Sequence, residues 1–168
     1  MPIVVGNHPD LEEVAGKFGV EFRAFPVTPE NKSEVEDAQL VLLEKHRIDF
    51  VVLARYMQIL SGRFVDAFPN RIINIHHAFL PAFPGARPYQ SARERGVKII
   101  GATSHYVSET LDTGPIIEQD VLRVTHRQSV KDLMQVGRDL EKVVLSRAIG
   151  KHIWRKIIVH KRRTIVFD

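Results

Sequence analysis

The sequence predicts a doubly wound α/β domain with a mostly parallel sheet and an antiparallel C-terminal extension. Three observations predict it. Short apolar runs alternate with helical patterns through the first 75 residues, the order expected of parallel strands joined by crossover helices. The run Asp49-Phe50-Val51-Val52-Leu53-Ala54 is continuously apolar after its first residue, as in strands covered on both faces. From Val97 onward two long strand-like runs, Val97 to Val107 and Pro115 to Val124, are joined through Leu111-Asp112-Thr113-Gly114, which favours an antiparallel extension over another crossover.

Taken in order, residues 2 to 5 (PIVV) read as a buried strand. Asn7-His8-Pro9-Asp10 follows as a capping sequence with proline at an early helical position, and a short amphipathic helix ends at Gly19. Val20 to Phe25 is β-branched and aromatic, hence a second strand. Thr28-Pro29-Glu30 opens a longer helix expected to present Val35, Ala38, Val41 and Leu42 on one face. A short helix around residues 62 to 67 precedes a strand from Arg71 to Asn74. A long helix begins at Ser129, where Ser-x-x-Asp resembles a capping box, and is expected to turn Leu133, Val136, Leu140, Val143 and Val144 inward. The closing KIIVHKRRTIVF reads as a hairpin. No repeat, linker or low-complexity tract interrupts the chain, so one domain is expected over residues 1–168.

Composition narrows the chemistry. At 168 residues, 44% hydrophobic and 26% charged, the chain can bury a core without disulfides or metals. It has no cysteine, which excludes thiolate zinc sites, disulfide frameworks and cysteine nucleophiles. No apolar run approaches the ~20 residues of a membrane span, and MPIVVGNHPD lacks the marks of a signal peptide, so a cytoplasmic location without membrane attachment is expected. The net charge of +4 resides largely in KHIWRKIIVHKRR, a solvated basic strip that does not make a nucleic-acid surface, so no nucleic-acid partner is expected.

In an open α/β sheet, ligands bind beyond the carboxyl ends of the strands. There the sequence places Asn74-Ile75-His76-His77, then the irregular Ala78-Phe79-Leu80-Pro81. Strand alternation puts Asn74 and His76 on one face and sends His77 to the other. The second polar group is His105, near the end of its strand, with the turn Asp112-Thr113-Gly114 beyond. Either segment alone is better read as side chains satisfying nearby backbone groups. Together they supply an amide, imidazoles and a carboxylate, the set needed for water to attack a carbonyl: amide and imidazolium hold the oxyanion, and the carboxylate orients the imidazole and relays the proton.

These motifs resemble the folate-dependent formyltransferases and their hydrolytic relatives, the formyltetrahydrofolate deformylases. The family pattern Asn-Ile-His followed by a Leu-Pro loop stands here as Asn74-Ile75-His76-His77-Ala78-Phe79-Leu80-Pro81. Its Asp-x-Gly turn after a His-containing strand stands as His105-Tyr106-Val107 through Asp112-Thr113-Gly114. Transferases of this fold usually carry proline after the histidine. The His76-His77 doublet, Pro81 to Tyr89, Asn7-His8-Pro9-Asp10, Phe25-Pro26-Val27-Thr28 and Gly114 to Asp120 are similar to the hydrolytic branch in particular.

The resemblance implies a formyltransferase-type, Rossmann-like fold and the hydrolysis of 10-formyltetrahydrofolate to tetrahydrofolate and formate, serving purine synthesis and the one-carbon pool. It implies Asn74, His76 and Asp112 as catalytic residues. It further implies a folate pocket formed by the loop Arg55, Tyr56, Met57, Gln58, Ile59 and Leu60, with His77, His105, Val107 and Leu111 also contacting substrate. Folate is the substrate, and no metal or further cofactor is implied; a homo-oligomer is. Family members of this kind carry an N-terminal ACT-type domain and a first strand and helix ahead of the Asn-His-Pro-Asp segment, so the catalytic domain reads as N-terminally truncated. Compensation for a missing central strand, by direct pairing of its neighbours or by a second chain, is expected. A transferase acting on an amine and a non-catalytic folate-binding module stand as alternatives. A phosphorylated acceptor would call for a Gly-rich loop at a helix N-terminus, which the sequence lacks.

Overall fold

The computed structural model describes residues 1–81 and 88–167; the part of the Pro81 to Tyr89 motif at 82–87 lies outside them. Within the span expected as one domain, the residues group into two compact units, Met1–Asp49 and Phe50–Asp168.

The first unit is a βαβ element followed by a helix. Strand β1 (Ile3–Gly6) leads through a 3-10 turn (Pro9–Leu11) into α1 (Glu12–Lys17) and returns as β2 (Glu21–Ala24), parallel to β1 with Ile3 opposite Glu21. Pro9 opens the turn as expected, but His8 at the cap position makes no side-chain capping bond. Gly19 stops α1 at φ +65°, a left-handed conformation that costs glycine little. Helix α2 (Lys32–Lys45) starts two residues after the Thr28-Pro29-Glu30 signal. Thr28 and Asn31 instead bond each other reciprocally, Thr28 N to Asn31 Oδ1 at 2.7 Å and Asn31 N to Thr28 Oγ1 at 3.3 Å, closing a turn ahead of the helix. Its buried side chains are Glu36, Gln39 and Leu43, while Ala38 and Val41 are exposed, contrary to expectation. The apolar residues of α2 are spread around its circumference, so periodicity selects no face strongly and packing decides.

The second unit contains a four-stranded sheet in the order β3 (Val51–Leu53), β4 (Ile72–His76), β5 (Ile99–Tyr106), β6 (Ile116–Arg123). The β3–β4 pair is parallel, and β4–β5 and β5–β6 are antiparallel, so the C-terminal extension has the expected direction. Helix α3 (Gly62–Ala67) links β3 to β4, capped by Ser61, whose Oγ accepts from Phe64 N at 3.3 Å. A helix the sequence reading missed, α4 (Pro88–Glu94), precedes β5.

Helix α5 (Val130–Ile153) carries the capping box read from the sequence, with Asp132 N donating to Ser129 Oγ and Ser129 N to Asp132 Oδ2. Leu133, Gly137, Val144 and Ala148 form its buried stripe. Val143 is exposed rather than inward: it lies about 100° round the helix from Val144, and only one of the two can sit on the stripe. The core under α5 joins Ile73, Tyr106, Ile117 and Ala148, and a second cluster joins Ala92, Ile100, Val124 and Leu133. The chain ends in the expected hairpin, β7 (Ile157–His160) with β8 (Arg163–Val166). No helix among the described residues is long and apolar enough to cross a membrane.

Candidate active site

The antiparallel register of β4 and β5 sets Asn74 opposite His105 and His76 opposite Thr103. Opposed residues share a face, and so do residues two apart along a strand, so all four side chains are brought to one side of the sheet. His105 Nδ1 donates to the carbonyl of Tyr106 at 2.9 Å. In the neutral ring this leaves Nε2 as an acceptor, and Asn74 Nδ2 donates to it at 3.3 Å.

Beyond β5, Val107 N donates to Ile72 O at 2.9 Å, extending the ladder by one bond before the chain turns. The loop is tied by its own hydroxyls: Ser108 Oγ and Thr113 Oγ1 each donate to Thr110 O at 3.0 Å. It delivers Asp112 in the left-handed region, at φ 54°, which Asp tolerates better than most residues. The glycine of the Asp-x-Gly motif has a specific cause. A Cβ on Gly114 would lie 1.8 Å from the carbonyl oxygen of Tyr106, the same oxygen that orients His105. Only glycine permits this approach. A shift of register at Ser104/His105 places one extra residue on β6 beside the site, as bulges commonly do near functional side chains.

Asp112 joins the two histidines. Its Oδ2 is 3.2 Å from His76 Nδ1, and its Oδ1 is 3.6 Å from His105 Nε2, too far for a hydrogen bond and consistent with Asn74 being the partner of that nitrogen. Burial pushes the His76 imidazole below its ordinary pKa near 6.5. Asp112 opposes this shift, while His77 and His105 add to it. The neutral ring is therefore favoured, with Nδ1–H on Asp112 and the lone pair on Nε2. That Nε2 is buried without a hydrogen-bond partner among the described residues, as is Nε2 of His77.

The expectation that His77 turns away from Asn74 does not hold. Its ring stacks on His76 with centroids 4.8 Å apart and planes 19° from parallel. Strand β4 ends at His76, so alternation lapses where the chain enters Ala78-Phe79-Leu80. Buried Thr103 holds that segment: its Oγ1 accepts from Leu80 N at 3.0 Å and from Gln119 Nε2 at 2.9 Å, and donates to Ala78 O at 2.8 Å. Gln119 Nε2 also donates to Leu80 O at 3.1 Å. Thr103 carries no signal in the sequence, and Gln119 stands there only within the Gly114 to Asp120 motif, with no role attached.

A cavity of about 650 Å³ opens on these groups. All thirteen residues expected at the site line it: Asn74, His76 and Asp112, the loop residues Arg55, Tyr56, Met57, Gln58, Ile59 and Leu60, and His77, His105, Val107 and Leu111. Arg55 and Asp112 both have positive φ, at 55° and 54°. Sequence reasoning missed the wall built by Tyr89 on α4 and by Met134, Arg138 and Glu141 on α5. Tyr89 lies over Gly137, where a Cβ would meet its hydroxyl at 2.1 Å, and donates to Glu141 Oε1 at 2.9 Å. Burial and the adjacent Glu141 carboxylate raise the Tyr89 pKa, so the phenol stays protonated. The spacing 134, 138, 141 marks one helical face and was the available signal. No group of three or more His, Asp or Glu side chains among the described residues is arranged to hold a metal ion.

A profile of the formyl transferase family matches residues 3–149. A formyltetrahydrofolate deformylase of Synechocystis sp. is 59% identical over 167 residues, 99% of this chain and 58% of the relative. The crystal structure of a formyltetrahydrofolate deformylase from Pseudomonas syringae pv. tomato superposes with a TM-score of 0.96 at 46% identity, covering 100% of this chain and 56% of that one. That of glycinamide ribonucleotide transformylase 1 from Symbiobacterium toebii gives 0.91 at 32% identity, covering 100% and 81%. The chain thus spans a little over half the length of the deformylases it matches. With a matching profile over most of its length and the motif residues gathered in one cavity, the chain belongs to the formyl transferase family.

Proposed function

We propose that this site hydrolyses 10-formyltetrahydrofolate to tetrahydrofolate and formate. The observation that carries the reading is the His76–Asp112 pair beside Asn74 in one cavity, with His76 neutral. Water attacks the formyl carbon and gives its proton to the neutral His76 ring of the His76–Asp112 pair, while Asn74 Nδ2 donates to the oxyanion. Asp112 holds Nδ1–H and stabilises the imidazolium as it forms. Collapse breaks the carbon–nitrogen bond, His76 returns the proton to the departing nitrogen, and the product leaves as formate with its acid proton passing to solvent. The loop Arg55–Leu60 supplies a partly apolar wall for the folate ring.

The names of the relatives agree with this reading, as does the histidine at position 77, where the transferases usually have proline. The reading carries with it a cytoplasmic protein that assembles as a homo-oligomer; light scattering tests the second point. The decisive experiment measures formate release from 10-formyltetrahydrofolate with and without an added amine. Formate released at the same rate in both supports hydrolysis. Formyl transfer to the amine in its place supports a transferase, and binding with neither product supports a folate-binding module.

A further inference from the structure

We propose that Gln119, acting with Thr103, is a positioning residue for the His76–Asp112 pair, tying the segment that follows one partner to the strand that follows the other. What the pair does rests on the hydrolytic reading above. Backbone pairing between β4 and β5 stops at His76, opposite Thr103, although β5 extends four residues further along that edge, to Ile99. Beyond His76 the chain is held by side chains instead. The Thr103 hydroxyl, fully buried, donates to Ala78 O at 2.8 Å and accepts from Leu80 N at 3.0 Å, bonds of the kind a continuing ladder would have supplied. Gln119 Nε2 directs its two hydrogens to Thr103 Oγ1 at 2.9 Å and to Leu80 O at 3.1 Å. Between these anchors Phe79 rests against Gly101, where an added Cβ would lie 2.7 Å from that of Phe79.

The place of Gln119 in the chain gives this clamp its consequence. The turn Asp112-Thr113-Gly114 leads directly into β6, and β6 carries Gln119. One amide therefore joins the stretch that begins just after Asp112 to the stretch that begins just after His76, across the intervening β5. Its neighbours Glu118 and Asp120 bond Lys151 and Arg147 of α5 instead. His76 Nδ1 and Asp112 Oδ2 stand 3.2 Å apart, at the long end of an N–H···O bond, so a separation of about half an ångström would end it. Neither Thr103 nor Gln119 is among the residues lining the cavity, so they act on the reaction only through the groups they hold.

The test compares the full chain with Gln119→Leu, Thr103→Val and Thr103→Ser, each checked for folding by circular dichroism. It reads kcat and KM for formate release from 10-formyltetrahydrofolate, and the His76 titration by NMR. Gln119→Leu is expected to lower kcat by about tenfold, the scale of a misplaced reacting group, with KM within about threefold. Thr103→Val should lose at least as much, and Thr103→Ser, which keeps the hydroxyl, should recover most of it. Because Asp112 raises the His76 pKa, loosening the pair should move the His76 titration to lower pH. In an Asp112→Asn chain, Gln119→Leu should cost little more, since no pair remains to be placed. A folded Gln119→Leu chain with kcat within threefold of the parent overturns the proposal, and so does a change in KM alone. A rate loss that leaves the His76 titration unmoved, or that persists in full beside Asp112→Asn, overturns it too by making the clamp purely structural. If Thr103→Val fails to fold, Gln119→Leu, at a partly exposed position, decides. A parent chain that releases no formate refutes the hydrolytic reading, and the His76 titration in Gln119→Leu then decides the positioning by itself.

Discussion

Where β4 and β5 end, the polar side chains are buried and engaged with one another: His105 is 2% exposed and His76 9%, and Asp112 stands between them. In the loop Arg55–Leu60, on the same cavity, Met57 is 76% exposed and Ile59 55%, with only Leu60 buried at 7%. Under the hydrolytic reading the two regions divide the work. The strand ends fix atoms that must be placed within fractions of an ångström, using hydrogen bonds and sheet register. The loop offers adaptable apolar surface whose burial waits for a ligand, the use to which a flexible thioether is well suited. Losses in the first region should therefore appear in kcat and losses in the second in KM.

The largest effect is expected from Asp112→Asn, which keeps the volume but cannot support an imidazolium. Formate turnover should fall by about 10²–10⁴-fold with folate affinity retained, measured by kcat and by equilibrium binding. Turnover within about tenfold of the parent would remove Asp112 from the chemistry. On the same footing His76→Ala should cost more than His77→Ala, since only His76 is paired with Asp112.

Gly114→Ala should come next. Its Cβ would overlap the Tyr106 carbonyl, so the turn must shift and carry Asp112 away from His76. Both kcat and thermal stability should drop, by about 10²-fold and by at least about 1–3 kcal/mol. A variant with parental melting temperature and rate would show the close approach to be dispensable.

Met57→Ala should separate the regions most clearly. Loss of surface that covers substrate raises KM by about three- to tenfold and leaves kcat unchanged. A fall in kcat instead would mean that the loop positions the reacting atoms.

The smallest effect concerns pH. Because burial lowers the His76 pKa, the neutral base persists as pH falls past 6.5, and the acid limb of kcat/KM should lie below that value. Asp112 is the group raising that pKa, so Asp112→Asn should move the limb further toward acid. Stability runs the same way. Below pH 6.5 the unfolded chain takes up a proton that folded His76 resists, so its contribution is lost as pH falls from 6.5 toward the lowered value. An acid limb above 6.5 would place a different group in the rate.

What the sequence by itself determined was local. The Ser129–Asp132 box, the Gly19 stop, the C-terminal hairpin and the shared face of Asn74 and His76 all follow from interactions within a few residues, where period and capping chemistry are written directly in the chain. The family resemblance added most of the cavity's lining but not its Tyr89, Met134, Arg138 and Glu141 wall, because a motif records side chains selected together whatever their distance in sequence. Tertiary structure alone decided the rest. It set Asn74 opposite His105, 31 residues away, through one antiparallel register and an extra residue in β6. It turned His77 onto His76 once β4 ended and the Thr103–Gln119 clamp took over, and it buried Glu36 and Gln39 of α2 in preference to Val41. It also brought Tyr89 over Gly137 to complete the cavity wall. Each of these depends on which surfaces meet, and a one-residue slip in register would turn every site side chain to the opposite face without changing a single local preference.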